Sequence, residues 1–292
     1  MKILHLEMSH AKPINETHFN VYTLGVSRAR NVLFIIIKNN NQYFAVGFFL
    51  NPALAPVLDV LFPERNPFHV LSKYLFSPSD QVWDRVRHYL GSTLSPANRR
   101  IGVQLREFSH GYTEALDLNI PLCIGRKAGF VPAGLRKTKK MHTDDYLSVY
   151  VATLAQGHIP KLNQTLALLG NQTGKLFKVA SQQVTQEENH DASHQQEALV
   201  DMWVLSLSDV LLTSKMSTFG YVAQGLGGLV PYFIQFFEDQ MCQTGIGTDP
   251  CYHYARNEVV CDMEKVSARE LLNQSQSVQY CPDFNGGWQL AF

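Results

Sequence analysis

The densest chemical signal in the sequence lies between Asp209 and Gly228, where an apolar run leads into a hydroxyl-rich turn and then into glycines. The apolar run predicts a buried strand, and residues 218–224 predict a short helix directly after the turn. A helix that begins there presents unpaired N–H groups and the positive end of its dipole, which suit a phosphate. Ser217 or Thr218 would cap the helix and could bind a phosphate oxygen. The alternative is a capped strand–helix unit of the core.

Three glycines follow this predicted helix, at positions 225, 227 and 228. We expect Gly225, Gly227 and Gly228 to end the helix and to let backbone or ligand come close, because glycine has no Cβ and tolerates positive φ.

A second signal is the arginine that ends the apolar segment Ile101–Arg106. Ligands of open α/β sheets bind outside the carboxyl ends of the strands, so we expect Arg106 to face the ligand crevice. A guanidinium binds phosphate through two hydrogen bonds and stays charged, and it could stabilise the charge on a departing diphosphate. The alternative is a surface arginine paired with Glu107 or another carboxylate.

A third signal is the segment Asp249–His253. His253 could act as an acid or a base near neutral pH, although a histidine in a cysteine-clamped loop could equally pack and bond locally. The sequence contains no G-x-G-x-x-G or Walker loop, no G-x-S-x-G elbow, no H-E-x-x-H and no D-x-D pair. No residue stands out as a general base, and without D-x-D a diphosphate would have to be held by protein cations and helix dipoles.

Four cysteines lie near the carboxyl end, at Cys242, Cys251, Cys261 and Cys281, whereas Cys123 stands apart. Four cysteines in a loop-rich tail predict two disulfides, with three possible pairings. Zinc binding is the competing interpretation, but no C-x-x-C pair is present. The sequons at Asn15, Asn163, Asn171 and Asn273 would be glycosylation acceptors in a secretory compartment, the same environment that disulfides require.

Composition restricts the partners of the chain. Its 292 residues are 45% hydrophobic and 17% charged, and 25 basic side chains balance 25 acidic ones. A balanced chain gives no reason to expect nucleic acid as a partner, so an anionic ligand must be held by a local cluster of donors. The longest apolar runs, 32–37 and 44–50, are too short to span a bilayer and predict buried strands. We therefore expect no signal and no transmembrane segment.

The pattern of apolar runs predicts the order of elements. Strands are expected at 101–105, 150–154, 176–180, 209–213 and 229–234, and helices at 51–63, 68–90 with a break at Pro78, 159–169, from Ser193 onward, and 218–224. Strands that alternate with helices favour an α/β fold with a mostly parallel sheet. We expect residues 110–142 to be irregular and 181–196 to form a loop. A polar break near residue 95 predicts two domains, 1–95 and 96–292.

Taken together and in order, these residues resemble the plant fucosyltransferase family typified by xyloglucan fucosyltransferase. Ile101–Arg106 resembles its first motif, whose arginine contacts the GDP diphosphate, and Leu205–Pro231 is similar to its second motif. Pro250–His253 and Cys281–Asp283 resemble its carboxyl-terminal signature. The resemblance covers roughly residues 32–292.

The resemblance implies a GT-B type fold, with a complete C-terminal Rossmann-like nucleotide-sugar domain and an N-terminal, acceptor-side domain that is only partly present. It implies an inverting enzyme that transfers L-fucose from GDP-fucose in α-1,2 linkage to galactose of a plant cell-wall glycan, xyloglucan or arabinogalactan in type. It further implies no cofactor, no metal, a Golgi location, and association into a homodimer or a Golgi glycosyltransferase complex.

By the same resemblance, Arg106 stabilises the leaving group, and the donor contacts lie on it and on the second motif. The implied substrate-binding residues are Arg106, Ser217, Thr218, Phe219, Gly220, Tyr221, Gly225, Gly227 and Gly228. The alternative from another class is a truncated, non-catalytic paralogue that binds GDP or a glycan, or that associates with an active glycosyltransferase.

Overall fold

Six strands form the central sheet, in the order β3-β2-β1-β4-β5-β6. They are β1 (Arg99–Leu105), β2 (Tyr146–Thr153), β3 (Leu176–Ser181), β4 (Val210–Ser214), β5 (Tyr232–Ile234) and β6 (Cys242–Thr244). The first five are parallel, and β6 pairs antiparallel with β5. The predicted α/β class with a mostly parallel sheet is confirmed.

The structure is a computed structural model that describes residues 45–95, 97, 99–106, 114–127, 146–182, 192–234, 242–253, 258–261 and 264–292. All of them belong to the unit from Gln42 to Phe292. The predicted strand at 32–37 and the sequon at Asn15 lie outside these residues. The domain boundary near residue 95 stays a prediction.

The other described elements are helices and the strands of two hairpins. The helices are α1 (Val46–Phe49), α2 (Ala55–Leu61), α3 (Pro67–Leu75), α4 (Asp80–Tyr89) with a π-helical turn (Leu90–Leu94), α5 (Glu114–Lys127), α6 (His158–Thr173), α7 (Ala192–Ser206), α8 (Thr218–Gly227) and α9 (Ala268–Gln274). The hairpin strands are β7 (Glu258–Cys261) with β8 (Glu264–Ser267), and β9 (Val278–Tyr280) with β10 (Trp288–Leu290).

Side chains alternate between the two faces of the central strands. On one face, Ile101, Val103 and Val149 pack with α5 and α6. On the other face, Tyr150 and Leu211 pack with α4, α7 and α8. A parallel sheet covered on both faces needs strands that are apolar almost throughout, which is the pattern that predicted them.

Two sequence-based expectations about elements are wrong. The apolar run at 44–50 was expected to be a strand, but its described part contains the short helix α1. Residues 110–142 were expected to be irregular, yet α5 occupies 114–127 and continues past Pro121. A short apolar run does not distinguish a strand from a buried helix, and a proline inside a helix removes only one backbone donor. The predicted break at Pro78 is confirmed, because α3 ends before it and α4 begins after it.

A disulfide joins α5 to the edge of the sheet. Cys123 pairs with Cys242 of β6, with Cα atoms 5.8 Å apart and a sequence separation of 119 residues. The expectation that Cys123 stands apart is therefore wrong, since the fold brings distant cysteines together in a way that local spacing does not reveal. None of the helices in the described part of the chain has the length and apolar character to cross a membrane.

Candidate functional site

The site begins where the strand order reverses. The chain runs from β1 to β2 and β3 on one side of the sheet, and β4 and β5 lie on the other side of β1. Loops that leave two adjacent strands in opposite directions open a crevice at the carboxyl ends of those strands, and ligands of open α/β sheets bind there. The crevice of this chain therefore lies beyond Leu105 and Ser214, the last residues of β1 and β4.

Both sequence signals for phosphate binding meet at this crevice. Arg106 follows β1 directly and is exposed, and its backbone N–H donates to Oγ of Ser214 at 2.9 Å. Ser214 is followed by the turn that leads into α8. The arginine and the helix start, which are more than a hundred residues apart in sequence, are therefore neighbours in the fold.

Ser217 caps the start of α8 as predicted. Its Oγ accepts from the backbone N–H of Gly220 at 3.4 Å, and its side chain is buried, whereas Thr218 is exposed. The preceding Met216 has φ 55°, a left-handed conformation that a residue without a β-branch tolerates at a cost. Within the described part of the chain, the backbone N–H groups of Thr218 and Phe219 have no recorded hydrogen-bond partner, and such N–H groups at a helix start can bind an anion.

Gly220 determines how closely α8 approaches the sheet. A Cβ at this position would lie 1.9 Å from Oγ1 of Thr213, a buried hydroxyl that donates to Oε1 of Gln104 at 2.7 Å. Gln104 lies on β1 between two core residues and faces α8. Glycine is therefore required here because the first turn of the helix rests directly on β1 and β4, which fixes its start at the crevice.

The next residue, Tyr221, belongs to a buried hydrogen-bond chain. Its hydroxyl donates to Oδ2 of Asp283, which also accepts from the backbone N–H of Met216 at 3.1 Å. Nε2 of His253 lies 2.8 Å from the same hydroxyl oxygen. The His253 ring is covered by Phe284, with ring centroids 4.3 Å apart. Three segments distant in sequence thus meet beside the start of α8.

Burial changes the proton equilibria of this chain. It raises the pKa of Tyr221, and the Asp283 carboxylate raises it further, so the phenol keeps its proton throughout the physiological range. Burial lowers the pKa of His253, partly opposed by the attraction of Asp283 for the charged ring. His253 is therefore neutral at neutral pH.

The loop that carries His253 is held from several sides. Gln224, buried in α8, donates through Nε2 to the carbonyl oxygens of Gly247 at 3.2 Å and Asp249 at 2.9 Å. Gln289 donates to the same Asp249 oxygen at 2.6 Å. The carboxylate of Asp249 accepts from the backbone N–H of Phe68 at 3.1 Å. The loop is thereby fixed to α8, to β10 and to α3.

A second disulfide, Cys251–Cys281, joins this loop to the segment that carries Asp283, with Cα atoms 6.0 Å apart. It is one of the bonds that the three pairings allowed, but the prediction of two disulfides within the tail is wrong, because Cys242 pairs with Cys123. A Cβ on Gly287 would lie 2.6 Å from Sγ of Cys251, so the disulfide also needs this glycine. Ligand atoms of Cys251, Cys281 and Asp283 lie within 4.8 Å of one another, but the two sulfurs are bonded to each other and are not zinc-binding thiolates.

The remaining cysteine and the sequons are only partly described. Cys261 is the last residue of β7, and its side chain lies outside the described part of the structure. Asn163 and Asn171 on α6 and Asn273 on α9 are exposed, as glycosylation acceptors must be. Their modification stays a prediction.

Three of the predicted substrate-binding glycines lie at the opposite end of α8. A Cβ on Gly225 would meet the ring of Phe68 at 2.3 Å, and one on Gly228, which has φ 61°, would meet the ring of His69 at 2.9 Å. Gly227 approaches the carbonyl of Ser206. A helix of this length spans about 15 Å, so these glycines are not brought to Arg106. Their substrate contacts stay a prediction, and the contacts that the structure gives them are with α3 and α7.

A cavity of about 570 Å³ also lies at that far end, lined by Arg65, Gly228, Thr248 and Phe292 among others. It does not include Arg106 or the start of α8. The crevice is therefore identified by its donors and by the strand order and not by the size of a void.

Sequence reasoning missed Asp283 and Gln104 as residues of the site. Asp283 stands in the Cys281–Asp283 segment that the resemblance quoted, but nothing local shows that it reaches Tyr221, 62 residues earlier. Gln104 is a polar residue inside an apolar strand, and a buried polar side chain needs a partner. The position of this glutamine inside an apolar strand was the signal from which its hydrogen bond could have been predicted.

Sheet order, crevice and helix start place this chain among α/β proteins of the GT-B type. A structure of an Arabidopsis thaliana FUT1 mutant in complex with GDP superimposes with a TM-score of 0.71 at 29% identity, covering 86% of this chain and 56% of that one. The expected fold class is confirmed.

The family follows from sequence comparison. The family model described as xyloglucan fucosyltransferase matches residues 25–258. The galactoside 2-alpha-L-fucosyltransferase of Arabidopsis thaliana is 31% identical over 271 residues, which are 89% of this chain and 48% of that protein. The enzyme of the same name from Pisum sativum is 32% identical over 77% of this chain and 41% of its own length. The chain belongs to the xyloglucan fucosyltransferase family, as the motifs predicted, and spans about half the length of these relatives.

Proposed function

We propose that this chain binds GDP-fucose and transfers L-fucose, with inversion, in α-1,2 linkage to galactose of a plant cell-wall glycan of xyloglucan or arabinogalactan type. The observation that carries the proposal is the hydrogen bond from the Arg106 backbone to Ser214, which brings the end of β1 next to the turn that leads into α8. The relatives named galactoside 2-alpha-L-fucosyltransferase and the FUT1 complex with GDP support the choice of donor and linkage.

In this proposal, the diphosphate of the donor lies against the first turn of α8. The free N–H groups and the dipole of that turn bind its oxygens, and the guanidinium of Arg106 neutralises the charge that grows as the fucose C1–O bond breaks. The acceptor hydroxyl attacks C1 from the opposite face, and this direction of attack produces inversion. Because protein groups supply the positive charge, we propose that no metal is required and that EDTA leaves GDP affinity unchanged.

We further propose that the chain works in the Golgi, with a galactose-bearing glycan as acceptor and with association into a homodimer or a glycosyltransferase complex. Disulfides persist in the oxidising secretory pathway, and three sequon asparagines are exposed. These observations support a lumenal location.

Calorimetric titration with GDP tests the donor site. Arg106→Ala should weaken GDP binding by about tenfold or more, because it removes a charge-assisted hydrogen bond to phosphate. Arg87→Ala is the matched control, since Arg87 lies exposed on α4 and pairs only with Asp84 among the contacts recorded for it. Equal affinities of Arg106→Ala and wild type would remove Arg106 from the site.

A second candidate function is a non-catalytic paralogue that binds GDP or a glycan, or that pairs with an active enzyme. GDP binding without fucosyl transfer to galactosylated xyloglucan would support this candidate, whereas transfer by the purified chain would eliminate it.

A further inference from the structure

The hydrogen bonds around Tyr221 fix the position of its proton. Oδ2 of Asp283 accepts the backbone N–H of Met216 at 3.1 Å and also contacts the Tyr221 hydroxyl. Two oxygens in such close contact need a proton between them, and Oδ2 of Asp283 is the acceptor because it already accepts from a backbone N–H. The retained phenolic proton supplies it, so the hydroxyl of Tyr221 donates to Asp283.

This assignment determines the tautomer of His253. Nε2 of His253 lies 2.8 Å from the Tyr221 oxygen, and the only proton on that oxygen is already directed to Asp283. Nε2 must therefore carry a hydrogen and donate it to Tyr221. A neutral imidazole has one protonated nitrogen, so Nδ1 is the nitrogen that holds a free lone pair.

The surroundings keep this lone pair available at neutral pH. Burial lowers the pKa of His253, and the Asp283 charge opposes the shift without reversing it. Among the described residues, the titratable groups that face the ring are Tyr221 from α8 and Asp283 from the segment after Cys281, and Phe284 covers the ring. Tyr221 stands in the first turns of α8, so the ring lies beside the crevice in which the donor is placed.

We propose that His253 is the general base of the transfer, acting through Nδ1, and that Tyr221 and Asp283 are positioning residues that hold its tautomer. The inference rests on the proposed function. The acceptor oxygen forms its bond to fucose C1 while its proton moves to Nδ1. The bond from C1 to the diphosphate oxygen breaks, and its electron pair leaves with GDP. The imidazolium then faces Asp283 through the Tyr221 hydroxyl and returns its proton to water.

Kinetics of the full chain with GDP-fucose and a galactosylated acceptor test the role of His253. His253→Gln should lower kcat by about a hundredfold or more, the usual contribution of a general base. GDP affinity should change less than about twofold, because a base that acts on the acceptor leaves the donor contacts in place. His88→Gln, an exposed histidine on α4, is the matched control and should keep both values.

Two further measurements separate a base from a structural residue. Imidazole in the buffer should partly restore turnover in His253→Ala, which a packing defect would not allow. Side-chain ¹⁵N spectra should show His253 protonated at Nε2 in the wild-type chain, and Tyr221→Phe should mix the tautomers because Nε2–H loses its acceptor.

The outcomes keep the two proposals apart. A wild-type chain that binds no GDP refutes the proposed function. A chain that binds GDP but transfers no fucose also refutes the proposed transfer and supports the non-catalytic candidate. A chain that transfers fucose, but in which His253→Gln turns over normally, keeps the proposed function and refutes the base. A proton on Nδ1 in the spectra of the wild-type chain refutes it as well.

Discussion

The two ends of α8 belong to one glycine-rich motif but make different contacts. At its start, Ser217 caps the helix and Gly220 lets the first turn rest on Thr213, and the preceding turn follows Ser214, which contacts the backbone of Arg106. At its other end, Gly225 and Gly228 receive the rings of Phe68 and His69 from α3. A run of residues that matches a family motif is therefore not a list of ligand contacts. What fills the space beside each glycine decides its role.

Gly220→Ala is the strongest test of this difference and has the largest expected effect. The added Cβ would displace the buried hydroxyl of Thr213 and break its hydrogen bond to Gln104, so the helix start must move from the sheet. We expect a loss of about 1–3 kcal/mol in the free energy of unfolding, measured by urea denaturation, together with at least a tenfold loss of GDP affinity.

Thr213→Ala provides the control for that variant. Combined with Gly220→Ala, it removes the atom that clashes, and the double variant should regain part of the GDP affinity lost by Gly220→Ala alone. Wild-type affinity in the single Gly220→Ala variant would show that the position of the helix start does not matter to the donor.

Gly225→Ala tests the opposite end and should have a smaller effect. Its Cβ would meet the Phe68 ring, a side chain that can move, so we expect destabilisation of about 1 kcal/mol, at the lower end of the range for overpacking, and an unchanged affinity for GDP. Phe68→Leu in the same chain should recover stability by making room. A large loss of GDP affinity in Gly225→Ala would support the prediction from the motif that this glycine contacts the donor.

The sequence predicted the local parts of the site well because local chemistry determines them. Ser217 was identified as a cap from its position between an apolar strand and a helix, and Arg106 from its place after β1. What could not be predicted depends on long-range contacts. Only the folded topology brings such residues together. Examples are the disulfide between Cys123 and Cys242, the hydrogen bond between Tyr221 and Asp283, and the contact of the Phe68 ring with Gly225.

Errors in the elements have the same origin. The run at 44–50 has the apolar composition of a strand, and helix α1 forms there because tertiary packing decides the state of a short buried segment. In contrast, β1 and β4 were placed correctly because they lie within a repeated strand–helix pattern. The sequence named His253 as a possible acid or base but did not single it out, because the hydrogen bonds that join it to Tyr221 and Asp283 come from three segments whose spacing in the sequence does not reveal them.

The smallest expected effect concerns pH and distinguishes the two ends once more. The pKa of His253 is lower in the folded chain than its ordinary 6.5, so below about pH 6.5 the unfolded chain binds more protons at this position. The stability that neutral His253 contributes is therefore complete above pH 6.5 and is lost as the pH falls through the folded pKa. Thermal unfolding should show that the difference in Tm between wild type and His253→Gln changes over this interval and is constant above it. The difference in Tm between wild type and Gly225→Ala should stay constant over the whole pH range, because no proton is exchanged where Phe68 meets that glycine. If this difference also changed with pH, acid would be acting on the whole fold and not on His253.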